Sequence, residues 1–112
     1  MGSIGGKAPD GTGPAAIQHT VAFRLRDAVD LDRFLDRCRG LATIPGVADF
    51  EVLVQVGAKS SFTHALSMWF ADDRAYADYD AHPDHRAFVE DVWLPNVAEF
   101  LELDYRRKPA AT

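Results

Sequence analysis

Four residues combine a titratable or hydrogen-bonding side chain with apolar surroundings: His19, His64, Tyr79 and His85. An imidazole titrates near neutrality, so it accepts a proton and returns it. A phenol keeps its proton and donates a hydrogen bond to an oxygen that is gaining charge. Two or three such groups around one hollow would do acid–base chemistry beside a carbonyl. The densest run is Tyr79-Asp-Ala-His-Pro-Asp-His85. Within it, His82 precedes Pro83 and is read as shaping the turn or capping the helix that follows. Two other readings compete. A lone histidine on an apolar face is commonly a core residue bonded to backbone. Three histidines can also hold zinc with one position open, but His19, His64 and His85 lack the spacing of a local metal motif and no carboxylate partner is obvious. No metal is therefore assigned.

The elements that must position these groups follow from periodicity. Residues 17–26 alternate, with Ile17, His19, Val21, Phe23 and Leu25 on one face of a strand. Asp30 to Ala42 reads as a helix, capped by Asp30, with Leu31, Phe34, Leu35, Cys38 and Leu41 on one stripe. Ile44-Pro-Gly-Val47 is a turn. Phe50 to Val56 and Phe62 to Phe70 are strands, the second carrying His64, Leu66, Met68 and Phe70 on one face. Asp72 caps a short helix bearing Tyr76 and Tyr79, broken at His82-Pro83 because proline disfavours helical geometry in the residue before it. Pro83 opens the next helix, which Pro95 bends or ends. Phe100 to Arg107 is a fourth strand. The order β-α-β-β-α-β is the ferredoxin-like α+β pattern with a four-stranded antiparallel sheet.

That topology makes the first and third strands antiparallel neighbours, so His19 and His64 lie at opposite ends, about 15 Å apart along the sheet. The proline break keeps Tyr79 and His85 at the His19 end. The expected pocket is lined by His19, Tyr79 and His85, with His64 further along. Phe23, Phe34, Met68, Phe88 and Trp93 are core residues that would also form the apolar wall for a small hydrophobic or carbonyl ligand. His19 is read as orienting His85 or holding its tautomer. Tyr76 and Tyr105 are read as structural or interfacial, and Cys38 as inert packing. Helices cover one face of the sheet. The other carries Ala22, Ala65, Trp69, Leu101 and Leu103, so a second sheet is expected to cover it in a homodimer.

Composition narrows the rest. The chain has 112 residues, 47% of them hydrophobic and 26% charged, with a net charge of −5, which suits one globular domain. The basic residues are scattered rather than clustered, so no nucleic acid is expected as a partner. No apolar run reaches the ~18 residues of a membrane span, and no membrane association is expected. One cysteine excludes an internal disulfide and suits a cytoplasmic location. Residues 1–16, rich in glycine and proline, read as a flexible tail. Residues 17–107 form the domain and 108–112 a polar tail.

With these residues in place, the chain resembles the stress-responsive A/B barrel domain (Dabb) family over residues 17–107. The carrying motifs are Ile17-Gln-His-Thr-Val-Ala-Phe23, Ile44-Pro-Gly-Val47, Phe62-Thr-His-Ala65, Tyr79-x-x-His-Pro-x-His85 and Leu103-Asp-Tyr105. The resemblance implies a homodimeric α+β barrel. It also implies cofactor-independent acid–base chemistry of the cyclase or lyase type, since the family includes a plant cyclase that closes a linear tetraketide by aldol condensation and a plant hydroxynitrile lyase. By the same resemblance the acid–base pair falls on Tyr79 and His85, with His85 read as the general base and Tyr79 as the hydrogen-bond donor, and further pocket residues fall on His19 and His64. The cyclase has a tyrosine in its first helix; here Phe34 is the only aromatic residue between Asp30 and Ala42. The family's many members without a known reaction keep a second expectation open, a non-catalytic stress-responsive binding or structural dimer.

Overall fold

The computed structural model describes residues 13–110. The strands are β1 (Ile17–Leu25), β2 (Ala48–Val54), β3 (His64–Phe70) and β4 (Val97–Tyr105). The helices are α1 (Leu31–Arg39), α2 (Asp73–Ala81), α3 (Pro83–Phe88) and the single turn α4 (Leu94–Asn96). A 3-10 turn at Gly40–Thr43 extends α1, and a π turn at Val89–Trp93 joins α3 to α4. The four strands form one antiparallel sheet in the order β2-β3-β1-β4. This is the ferredoxin-like α+β fold expected from the element order. No helix among the described residues is long and apolar enough to cross a membrane.

Local chemistry explains the helix ends. The Asp30 carboxylate accepts from Arg33 N at the start of α1, and Asp72 accepts from Ala75 N at the start of α2. His82 has extended backbone (φ −64°, ψ 137°), as a residue before proline requires, and its Nδ1 accepts from Asp84 N to cap α3. Pro95 lacks the N–H that a continuing α-helix sends four residues back. The turn before it widens, and Leu94 N–H reaches Val89 O instead. Gly46 (φ 93°) supplies the left-handed residue of the turn closed by Val47 N–H to Ile44 O.

Several boundaries differ from the sequence reading: β2 ends at Val54 and β3 starts at His64, each two residues short of the expected bound. β2 starts two residues earlier, across a bulge where Asp49 adopts φ 51°, a conformation that aspartate tolerates better than most residues. β4 starts at Val97 because β1 pairs with it as far as Leu25↔Val97, recruiting residues with no alternation of their own. Residues 13–16, assigned to the flexible tail, form a turn closed by Ala16 N–H to Gly13 O, and Ala16 is buried. The remainder of that expected tail, residues 1–12, lies outside the described residues.

The core lies between the sheet and the helices. Val21 and Phe23 of β1 and Leu66, Met68 and Phe70 of β3 meet Phe34, Leu35 and Cys38 of α1, Tyr79, Val92 and Trp93. Phe23 is fully buried, 5.2 Å from the Trp93 ring and 5.5 Å from Phe34. Replacing Phe23 with alanine is expected to cost about 3–5 kcal/mol. In urea titration that appears as a lower midpoint at unchanged slope; a midpoint within error of the wild type would refute this packing role.

Candidate functional site

Paired residues of neighbouring antiparallel strands point to the same side. His19 pairs with Met68 and Asp104, Val21 with Leu66 and Glu102, and Phe23 with His64 and Phe100. All therefore face the helices. The α2–α3 break then folds His85 back onto Tyr79, with ring centroids 4.5 Å apart, while Tyr79 lies 6.4 Å from His19. These three residues line one cavity of about 100 Å³. Its wall includes Met68, Phe88 and Trp93 from the expected set, together with Val21, Leu41, Leu66, Val89, Leu94 and Phe100, and one carboxylate, Glu102.

Each polar group has a distinct setting. Tyr79 is 2% exposed, and its hydroxyl makes no hydrogen bond among the described residues. A buried hydroxyl left without a partner costs about 1–3 kcal/mol, so this phenol is an open donor at the cavity wall. Burial pushes its pKa well above the ordinary tyrosine range, and the negative charges of Asp80 and Glu102 push the same way. It therefore stays protonated at neutral pH. His85 Nδ1 lies 3.0 Å from the backbone carbonyl oxygen of Asp80. A carbonyl only accepts, so Nδ1 carries the proton and the neutral ring holds its lone pair on Nε2.

His19 is built differently. Its Nδ1 is 2.6 Å from Asp104 Oδ1 and 3.0 Å from the Tyr76 hydroxyl, which donates to Asp104 Oδ2 at 3.0 Å. The His19 Nδ1–H donates to this carboxylate, which again leaves Nε2 as the acceptor, as in carboxylate–imidazole pairs of hydrolases. Burial, then the hydrogen bond and charge of Asp104, hold Tyr76 protonated as well.

Several expectations need correcting. His19 does not orient His85: its Nδ1 is engaged by Asp104 and Tyr76, and the Asp80 carbonyl holds the His85 ring. His64 is not part of the cavity. It stacks on Phe23 at 5.9 Å and its Nδ1 lies 2.8 Å from the Thr63 hydroxyl. The register sets it four residues from the level of His19, roughly 13 Å along the sheet. Phe23 and Phe34 do not line the cavity either; they stand behind Trp93. Tyr76 has a polar role the sequence reading did not give it, and Asp104 supplies the carboxylate partner it did not find. Both left a trace in the sequence: Tyr76 precedes Tyr79 by one helical turn, and Asp104 lies in the closing Leu103-Asp-Tyr105 motif. Among the described residues, no three His, Cys, Asp or Glu side chains converge as a metal-ligand set.

Cys38 is fully buried, and burial pushes its thiol up to about 12, so it remains protonated packing. The raised phenols set a stability trend. A pKa raised on folding means that the folded state holds a proton the unfolded chain releases, so stability falls as pH rises. The loss should begin near pH 10, where unfolded tyrosine ionises, and continue as pH climbs toward the folded values. Alkaline unfolding followed by circular dichroism should be less steep above that pH in Tyr79→Phe; an identical slope would contradict the raised phenol.

The profile of the stress responsive A/B barrel domain matches residues 17–107. A stress-response A/B barrel domain-containing protein of Arabidopsis thaliana is 27% identical over 94 residues, 80% of this chain and 36% of that protein. The chain thus spans little more than a third of that curated relative. Among solved structures, a Dabb family protein with a ferredoxin-like fold from Mesorhizobium loti is 45% identical. It covers 84% of this chain and 98% of its own, with a TM-score of 0.78. Hydroxynitrile lyase from Passiflora edulis aligns over 89% of this chain and 100% of its own with a TM-score of 0.79, but at 17% identity, which speaks for the fold alone. A dimeric ferredoxin-like protein of unknown function from Thermobifida fusca aligns at 23% identity over 82% of this chain and 91% of its own, TM-score 0.69. With the domain profile spanning the whole sheet and the helices that cover it, the chain belongs to the stress-responsive A/B barrel domain family.

Proposed function

We propose that the chain is an acid–base enzyme of the lyase or cyclase type that acts on a small carbonyl compound without a cofactor and works as a homodimer. One observation carries this reading: a buried phenol with no protein partner among the described residues lines a cavity against an imidazole whose Nε2 lone pair is free. In condensation, His85 Nε2 takes a proton from the carbon beside a carbonyl, and the Tyr79 hydroxyl donates to the oxygen as enolate charge develops. The carbanion then attacks a second carbonyl, and the proton is returned to the new alkoxide. In cleavage the same groups run in reverse: Nε2 takes the hydroxyl proton as the carbon–carbon bond breaks, and the departing carbanion receives it. His19, held by Asp104, presents a second acceptor to the same cavity.

Size favours the smaller chemistry. Sites for drug-sized ligands run to roughly 300–1,000 Å³, whereas this cavity holds about 100 Å³. An aldehyde, ketone or cyanohydrin no larger than a single substituted ring suits that space better than a linear tetraketide does. The test is turnover of small aldehydes and cyanohydrins by the purified chain, and its dependence on His85. A non-catalytic binding dimer would be stabilised by such compounds without converting them.

A further inference from the structure

The charge around the cavity bears on what it takes. Among the described residues Glu102 is the one carboxylate on its wall, exposed at the edge and without a hydrogen bond or ion pair. Asp104 lies behind His19, and the Asp80 carboxylate is 3.9 Å from His85 Nδ1. No lysine or arginine among the described residues lines the cavity. The two imidazoles by themselves would welcome an anion, but one carboxylate lines the same space and two more stand against their Nδ1 atoms. Two arginines of the same fold are turned elsewhere: Arg106 pairs with Asp73 and Arg24 with Glu99.

We propose that Glu102 is a specificity-determining residue. It makes the cavity select carbonyl compounds that are uncharged or cationic, above all those with a hydroxyl or amine directed at its carboxylate, and reject carboxylates. This rests on the acid–base reading of the same cavity. The register supports it, since Glu102 sits two residues before Asp104 on the helix-facing side of β4, opposite Val21. Its charge also reaches the Tyr79 and Tyr76 phenols, whose ionisation it opposes. A carboxylate ligand at the same distance meets the same repulsion. A donor on the ligand would give Glu102 the partner that the protein withholds.

Calorimetric titration of the full chain with benzaldehyde, 3-hydroxybenzaldehyde and 3-carboxybenzaldehyde tests this, in the wild type, Glu102→Gln and Tyr79→Phe. The expected order in the wild type is hydroxyl, then unsubstituted, then carboxylate, with the carboxylate about fivefold weaker than benzaldehyde, the scale of one exposed charge. Glu102→Gln should remove most of that deficit, and raised salt should shrink it in the wild type. A carboxylate that binds the wild type as well as benzaldehyde, or a deficit unchanged in Glu102→Gln, overturns the role of Glu102 and leaves the acid–base reading standing. Benzaldehyde that fails to bind, or binds Tyr79→Phe as well as the wild type, overturns the acid–base reading and this inference with it.

Discussion

Replacing His85 with alanine is expected to lower turnover by about 10²–10⁴-fold, the range typical of a positioned general base, while leaving the fold intact. The fold should survive because His85 packs at a helix start rather than in the core: the cluster around Phe23 and Trp93 does not include it. The Asp80 carbonyl loses only a partner it can replace with water, since the Asp80 side of the contact is exposed. Unchanged far-UV circular dichroism with lost turnover is the expected pair of results. Added imidazole should restore part of the rate, because the space left by the ring borders the cavity. Full activity in His85→Ala would remove this residue from the mechanism. Conversion of no aldehyde, ketone or cyanohydrin by the wild type would remove the mechanism itself.

The second large effect concerns the face of the sheet that the helices leave bare. Ala22, Ala65, Trp69, Leu53, Leu101, Leu103 and Tyr105 share that face by register. Leu101 and Leu103 stay 48% and 45% exposed, and Tyr105 51%. An apolar patch spread over all four strands marks an interface, and a second copy of the same sheet offers a self-complementary cover. Leu103→Arg would place a charge in that interface with no partner, a penalty of about 3 kcal/mol or more, on the order of 100-fold in the dimer dissociation constant. Analytical ultracentrifugation should report twice the chain mass for the wild type and the single mass for the variant. A wild type that sediments as a monomer at high concentration would refute the dimer, and a variant that remains dimeric would place its interface elsewhere.

How legible was the site? His19, Tyr79 and His85 are assigned to one end of the fold by the sequence, because alternation sets the face of a strand and the His82-Pro83 step sets where the helical arm turns back. His64 and Phe23 show the limit of that reasoning. Both lie on the correct face, yet they stack on each other four residues away from His19. Face is a property of one strand; level along the sheet depends on the pairing of two. The same distinction explains Asp104. Its carboxylate meets His19 across 85 positions of chain, and nothing local in either segment encodes that meeting.

The sequence by itself determined the element order, the helix caps at Asp30, Asp72 and His82, the break at Pro83 and the apolar face of each strand, because these depend on interactions within a few residues. It also carried the motifs that mark the family. Only the tertiary structure decided the register that sets Asp104 and Tyr76 on His19, the aromatic layer that separates Phe23 and Phe34 from the cavity, and the placing of Glu102 on its wall. Those contacts join residues far apart in the chain. Strand pairing and close packing of the whole core select them together, and no segment specifies them alone.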